Sequence, residues 1–354
     1  MNKKYLFLAL ITIVFPVTRM SAQESQSIFN FLSLPTSAHS AALGGRNISL
    51  AEDDAALMFQ NPALMSNVSD RTLNVNFLTF MKGSNTGSAS FVKATGERGT
   101  WGVGAQFVGY GKVDMYDNQG GYLGQSATLL DMNLTGGYSY LLGRGWAGGV
   151  TGKFLYSGYC GYTSVGLCVD LGVNYYNEDK DFSFSAVVAN LGGQVKAFGD
   201  VHEKLPFDLQ LGISKRLGRL PLRIHLTLYD LVHWRSAYYY PADLSGFQVF
   251  LNHVNLGIDA LLWNGKVWAG LGYNFRRGNE LIAAGSSNAA GLTLGAGVNI
   301  KDIKFGLAYA KYHVGAPSIS VTLNVPIKVH SRKKAIVTTD NTENKENEKD
   351  NNSN

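Results

Sequence analysis

The chain is poor in charge, in cysteine and in long apolar runs, and each shortage closes off a class of protein. Asp, Glu, Lys and Arg make up 16% of its 354 residues, against about 25% in an average soluble domain. A disordered chain has the opposite balance, and the 12% aromatic content argues the same way. Two cysteines cannot staple a disulfide scaffold. No Gly-X-Y period is present, which excludes collagen. Beyond residue 22 there is no run of 18 apolar residues, so no segment there reads as a transmembrane helix. G-x-S-x-G, P-loop and H-E-x-x-H motifs are missing. The histidines form no tight pair. His202 with Glu203 and Asp230 with His233 are loop pairs that could take a metal, but a solvated loop explains them more simply. No catalytic, metal or cofactor site is nominated, an enzyme is not expected, and nothing suggests a nucleic-acid partner.

What is present is glycine, 41 residues of it, and strict alternation. Residues 1–22 read as a signal peptide: Lys3 and Lys4, an apolar stretch from Tyr5 to Val17, and small residues ending at Ala22. From Arg71 onward apolar and polar residues alternate. Val165, Leu167, Val169, Leu171 and Val173 share one parity, and Ser164, Gly166, Cys168, Asp170 and Gly172 the other. Such runs predict about fourteen strands, starting near residues 71, 86, 99, 127, 145, 162, 181, 206, 221, 246, 265, 289, 303 and 316. Every second connection is tight, as at 142–145, 177–180 and 301–302. Gly109–Ser126, Gly192–Leu205, Asp230–Ser245 and Arg276–Asn288 are longer and fall on the other parity, although 81–85, 157–161 and 314–315 are short there. Outer-membrane barrels sort their loops in this way.

The expected fold is therefore all-β, a transmembrane antiparallel barrel over residues 71–329. Alternation alone also fits a soluble sandwich; the export signal, aromatic richness and loop parity favour the barrel. Gln106, Asp131, Lys153, Asp170, Arg223, His225, Asn255, Asp259 and Lys304 would face its lumen. Trp101, Tyr138, Tyr140, Trp146, Tyr175, Tyr176 and Trp263 sit near strand ends, where aromatic girdles lie. Residues 23–70 are too long for a bare terminus and read as a hatch packed inside the barrel, with a short helix near Asp54–Phe59. Residues 330–354 read as a polar disordered tail. The basic patch Lys328, His330, Arg332, Lys333 and Lys334 flanks the last strand and could meet lipid phosphate or lipopolysaccharide.

Two further groups draw notice. Cys160 and Cys168 lie eight apart across an expected outer hairpin, so a disulfide and two free thiols are both open. The loop around Trp234, Arg235, Tyr238, Tyr239 and Tyr240 holds favoured interface anchors, and these either meet a partner or fold over the barrel mouth.

The run Phe31-Leu32-Ser33-Leu34-Pro35-Thr36-Ser37-Ala38, then Ala41-Ala42-Leu43-Gly44-Gly45, Asp53-Asp54 and Asn61-Pro62-Ala63-Leu64, resembles the PorV/PorQ family of the type IX secretion system of Bacteroidetes, and most its PorQ branch. Ala189-Asn190-Leu191-Gly192-Gly193 and Leu205-Pro206-Phe207-Asp208-Leu209 fit it more weakly. His39 departs from it, since relatives often carry Arg after Ser-Ala. The resemblance implies a FadL-like barrel with a hatch whose motif includes Leu34, Pro35, Gly44, Gly45, Asp53, Asp54, Asn61 and Pro62. It also implies a non-enzymatic role: anchoring a PorZ-like surface partner, with PorU- or PorV-type components, for export and surface attachment of cargo. The alternative is a FadL-like channel for hydrophobic solutes, which would need an apolar lumen pocket.

Overall fold

Fourteen strands form one closed antiparallel sheet. The computed structural model describes residues 27–81, 83–116, 119, 121–218, 220–239, 244–286 and 289–327. The expected signal peptide, the basic patch and the polar tail lie outside the described residues. The strands are β1 (Thr72–Thr79), β2 (Asn85–Thr95), β3 (Gly99–Tyr116), β4 (Tyr122–Gly143), β5 (Trp146–Tyr159), β6 (Tyr162–Asn177) and β7 (Phe182–Lys196). They continue as β8 (Asp208–Arg216), β9 (Leu222–Leu228), β10 (Val254–Leu262), β11 (Val267–Asn274), β12 (Leu292–Ile300), β13 (Ile303–His313) and β14 (Ala316–Pro326). Each pairs with its sequence neighbours, and β1 closes on β14 from Thr72↔Pro326 to Leu78↔Ser320.

Alternation decides which face is which. On β1, Asn74 and Asn76 are buried while Val75 and Phe77 are exposed. The same inversion runs round the wall: Leu134, Leu167, Leu171, Ile213, Leu256, Leu307 and Leu323 face outward. An exterior of this kind is built for hydrocarbon, and closure leaves no unpaired strand edge in it. Among the described residues no helix is long and apolar enough to cross a membrane. The expected lumen residues do point inward; all are buried except Lys304, which is partly exposed. Trp146 and Tyr175 touch on the outer face near the short turns, ring centroids 5.1 Å apart, and Phe91 and Trp101 make a similar pair. Tyr176 does not join this girdle. It falls on the inward parity, and its hydroxyl donates to Asp181.

Most strands begin within three residues of the expected position, and two do not. The tenth was expected from 246, but Gly246–Asn252 is a helix, α2, and β10 begins at Val254. Ser245 caps α2: its hydroxyl accepts from Gln248 N, and the Gln248 side chain accepts from Ser245 N. That reciprocal box marks a helix start. The fourth strand begins at Tyr122, not 127, because most of the Gly109–Ser126 connection is itself paired as the far end of the β3–β4 hairpin. The Arg276–Asn288 connection contains helix α3, Phe275–Ala283.

Of the two states left open for the cysteines, the structure has the unbridged one, with both thiols free. Cys160 sits in the β5–β6 turn at φ +49°, while Cys168 lies opposite Lys153 farther down β6. At about 3.4 Å per strand residue they stand roughly 20 Å apart, beyond the ~7 Å a bridge can span.

The turn between β12 and β13 is Lys301-Asp302, with φ values of +49° and +72°. Two left-handed residues suit the twist of a two-residue hairpin but strain side chains that carry a Cβ. Lys301→Asn combined with Asp302→Gly should stabilise the barrel by about 1 kcal/mol, seen as a higher urea midpoint in detergent.

Candidate functional site: the hatch within the lumen

A ring of fourteen strands is wider than its own inward side chains can fill. The gap is taken by residues 28–70, most of which are buried, with only Asn30 and Ser33 exposed. The segment is irregular because its sequence alternates caps with small residues. Ala38–Ala42 forms one short helix, α1. Asp54 caps the 3-10 turn Ala55–Phe59, accepting from Ala56 N at 2.9 Å, so the expected helix is a 3-10 turn. Asn61 caps Pro62–Asn67 with Pro62 in the first turn, where its missing N–H costs nothing.

The expected hatch residues are brought together here. Leu34 and Pro35 are buried. Gly44 and Gly45 take φ values of +95° and +91° and turn the chain against the wall. Gly44 N donates to Thr293 Oγ1 at 3.0 Å, and Asn255 Nδ2 donates to the carbonyls of Leu43 and Arg46. A Cβ on Gly44 would stand 1.9 Å from Asn255 Oδ1. Asp53 accepts from Ser69 N at 2.7 Å and lies 3.6 Å from Lys304 Nζ. Asp54 also accepts from Ser37 Oγ and, across to β1, from Asn74 Nδ2, both at 2.7 Å. Asn61 Nδ2 donates to the Ile48 carbonyl.

The centre of the attachment is a group the motif did not single out. His39 on α1 bonds Glu52 through Nδ1 (2.9 Å) and Asp259 on β10 through Nε2 (3.0 Å). Its ring stacks on Trp268 at 3.9 Å. Asp259 also accepts from Arg223 Nη2 at 2.7 Å and bonds His225 Nε2 at 3.1 Å. His225 Nδ1 meets Ser214 Oγ, which bonds Ser49 Oγ on the hatch, each at 2.7 Å. Burial works against a charged His39, yet the Glu52 and Asp259 carboxylates outweigh it and raise the imidazole to about 9. Burial likewise opposes a charged Glu52, and His39, Arg223 and Lys304 hold it down at about 2. At neutral pH the ring therefore carries both protons and clips the hatch to the wall.

The lumen has a second, apolar region towards the long loops. Leu78, Val108, Leu155 and Cys168 break the polar inward parity and enclose Ile28, Phe29, Phe31 and Leu34. Among the described residues, a small cavity of about 60 Å³ lies between hatch and wall beside Gln106, Lys153 and Gln210.

The outer loop is folded over the barrel in part and exposed in part. Tyr239 is buried and donates to the His233 carbonyl at 2.6 Å. Tyr238 stacks on His233, and Arg276 of α3 lies over Tyr238 and Tyr239 while pairing with Asp230 and Glu280. Trp234 packs beside His253 yet is 52% exposed, and Phe247 on α2 is 69% exposed. Arg235 precedes the 3-10 turn Ser236–Tyr238. Tyr240 lies outside the described residues.

No protein-family model matches the chain, and no curated protein sequence does. Solved structures do. The TodX monoaromatic hydrocarbon channel deltaS2 mutant superimposes with a TM-score of 0.50 at 13% identity, over 84% of this chain and 98% of that one. The CymD monoaromatic hydrocarbon channel gives 0.50 at 14%, over 84% and 97%. A Pseudomonas aeruginosa FadL homologue gives 0.49 at 10%, over 83% and 98%. At these identities the likeness is one of fold.

Two outcomes follow for the clip. His39→Ala strands part of a buried charge network and should destabilise the hatch by about 3 kcal/mol, read as faster hydrogen exchange at the amides of 38–45 with the strands unchanged. His39 is raised on folding, so its contribution is complete below its ordinary 6.5 and is lost as pH rises through about 9. Glu52 is lowered, so its contribution is complete above 4.5 and is lost as pH falls through about 2. Hatch protection should therefore plateau between pH 4.5 and 6.5 and decline towards both sides.

Proposed function

We propose that this chain is an outer-membrane barrel whose outward surface, not its lumen, does the work. It anchors a surface protein of the type IX secretion system, of the PorZ kind, so that cargo can be exported and attached to the cell surface. The observation that carries this reading is the filled lumen. The hatch is clipped to the wall through His39 and Ser49, and its residues 34–45, 47–50 and 54–58 lie packed inside the ring. The N-terminal run that resembles the PorV/PorQ family supports the same reading, since its residues are the ones that cap, turn and bond the hatch. The exposed Trp234 and Phe247 on the long-loop side offer a partner apolar anchors.

A second reading has its own support. The chain shares its fold with channels for monoaromatic hydrocarbons, and Phe29 and Phe31 occupy an apolar chamber that would hold an aromatic ring. In that reading the residues from 28 to 34 are a gate, and the chain conducts hydrophobic solutes.

One experiment separates them. Ser49→Cys with Ser214→Cys, in a chain whose native cysteines are serine, locks hatch to wall across the 2.7 Å contact. If the barrel is an anchor, the oxidised lock restores surface cargo to a deletion strain as well as the parent chain does, and the partner still co-purifies. If it is a channel, cargo is unaffected by deletion, while uptake of aromatic solutes falls on deletion and returns only when the lock is reduced.

A further inference from the structure

The outward face of β8 to β12 carries a groove of about 500 Å³. Its floor is bare backbone. His225 turns its side chain into the lumen, and Gly257 and Gly272 have none. The glycines are fixed from the inside: a Cβ on Gly257 would stand 3.0 Å from Leu43, and one on Gly272 2.3 Å from Gly44 N. The hatch thus holds the wall in a form that larger residues could not take. Two cross-strand rows make the sides, Ile213–Leu226–Leu256 and Ile224–Ile258–Leu271. All six are aliphatic.

The second row starts at Lys215, which faces Ile224 on one side and Phe182 on the other. Phe182 opens β7, so Lys215 sits at the short-turn rim. It is exposed, its Nζ lies 5.6 Å from the Phe182 ring centroid, and among the described residues it has no carboxylate partner. A cation on a lipid-facing wall is costly unless it reaches the interface, where lipid phosphates lie.

We propose that this groove is a phospholipid site. An acyl chain lies on the glycine floor between the two aliphatic rows, and the phosphate of the same molecule pairs with Lys215. The short turns belong to the periplasmic side, so the ligand is a glycerophospholipid of that leaflet, not lipopolysaccharide. A chain on bare backbone gains dispersion contacts from the floor as well as both sides. The single cation at one end fixes its direction.

The test uses the full chain in nanodiscs of phosphatidylethanolamine with a minor fraction of phosphatidylglycerol, released into native mass spectrometry. The parent protein should retain one phospholipid. Ile258→Trp fills the groove and should lower retention, and Lys215→Gln removes the charge and should lower it about tenfold, the weight of one charge-assisted contact. Lys215→Arg should keep it. Leu134→Trp, outward on β4 and away from the groove, should leave retention unchanged. Heat-modifiable gel mobility shows that every variant is folded. Equal retention by the parent, Ile258→Trp and Lys215→Gln would overturn the proposal. So would a parent chain that retains nothing, or one that leaves native membranes with lipopolysaccharide or a protein in place of phospholipid.

Discussion

Asp259 is a carboxylate with no exposed surface, and the seating of the hatch depends on how it is neutralised. Arg223 and His225 reach it from β9, and His39 reaches it from the hatch. Taken with Glu52, the group holds two carboxylates against a guanidinium and a protonated imidazole. Such a set is stable only when complete, because any unpaired member is a charge out of water. The clip is therefore directional in what it demands. The wall residues can pair with one another, but the hatch carboxylate Glu52 has His39 as its near partner, with Arg223 3.9 Å away. Position 39 needs a cation, which is why a histidine can stand there only with its pKa raised.

Much of the wall is legible in the sequence, because lipid on one side and polar filling on the other enforce a period of two. Val75 against Asn76, or Leu171 against Asp170, states its face without any further knowledge. Where that constraint lapses, so does the reading. Gly246–Asn252 has the apolar content of a strand start, yet the Ser245–Gln248 box turns it into a helix, and only the capping pair signals this. Tyr176 looks like a girdle residue by type but is an inward one by count. The hatch is harder still. Its caps, Asp54 and Asn61, can be read from their spacing, whereas the His39–Asp259 contact spans 220 residues and leaves no local trace. Glu52 next to Asp53 and Asp54 looks like one more acid in a polar turn. It is the one that carries the clip.

The lumen holds two different interiors, and the fold alone does not choose between their uses. Beside β9 and β10 it is ionic and tightly paired. Beside β1, β3, β5 and β6 it is apolar and filled by phenylalanines. An apolar chamber thus lies beside an ionic centre within one ring. The difference between a passage and a plug lies in a few side chains, not in the architecture.

The hatch also constrains how the molecule can be assembled. Ala38 N bonds Thr322 on β14, 284 residues away, and Ala55 N reaches Asn324 on the same strand. The hatch thus touches the fourteenth strand of the ring. Seating the hatch and closing the ring at the β1–β14 seam are therefore coupled through the same strand. Pairings across so much chain are slow to form, so a variant with a loosened hatch would show its fault as delayed barrel closure before it showed any loss in the finished protein.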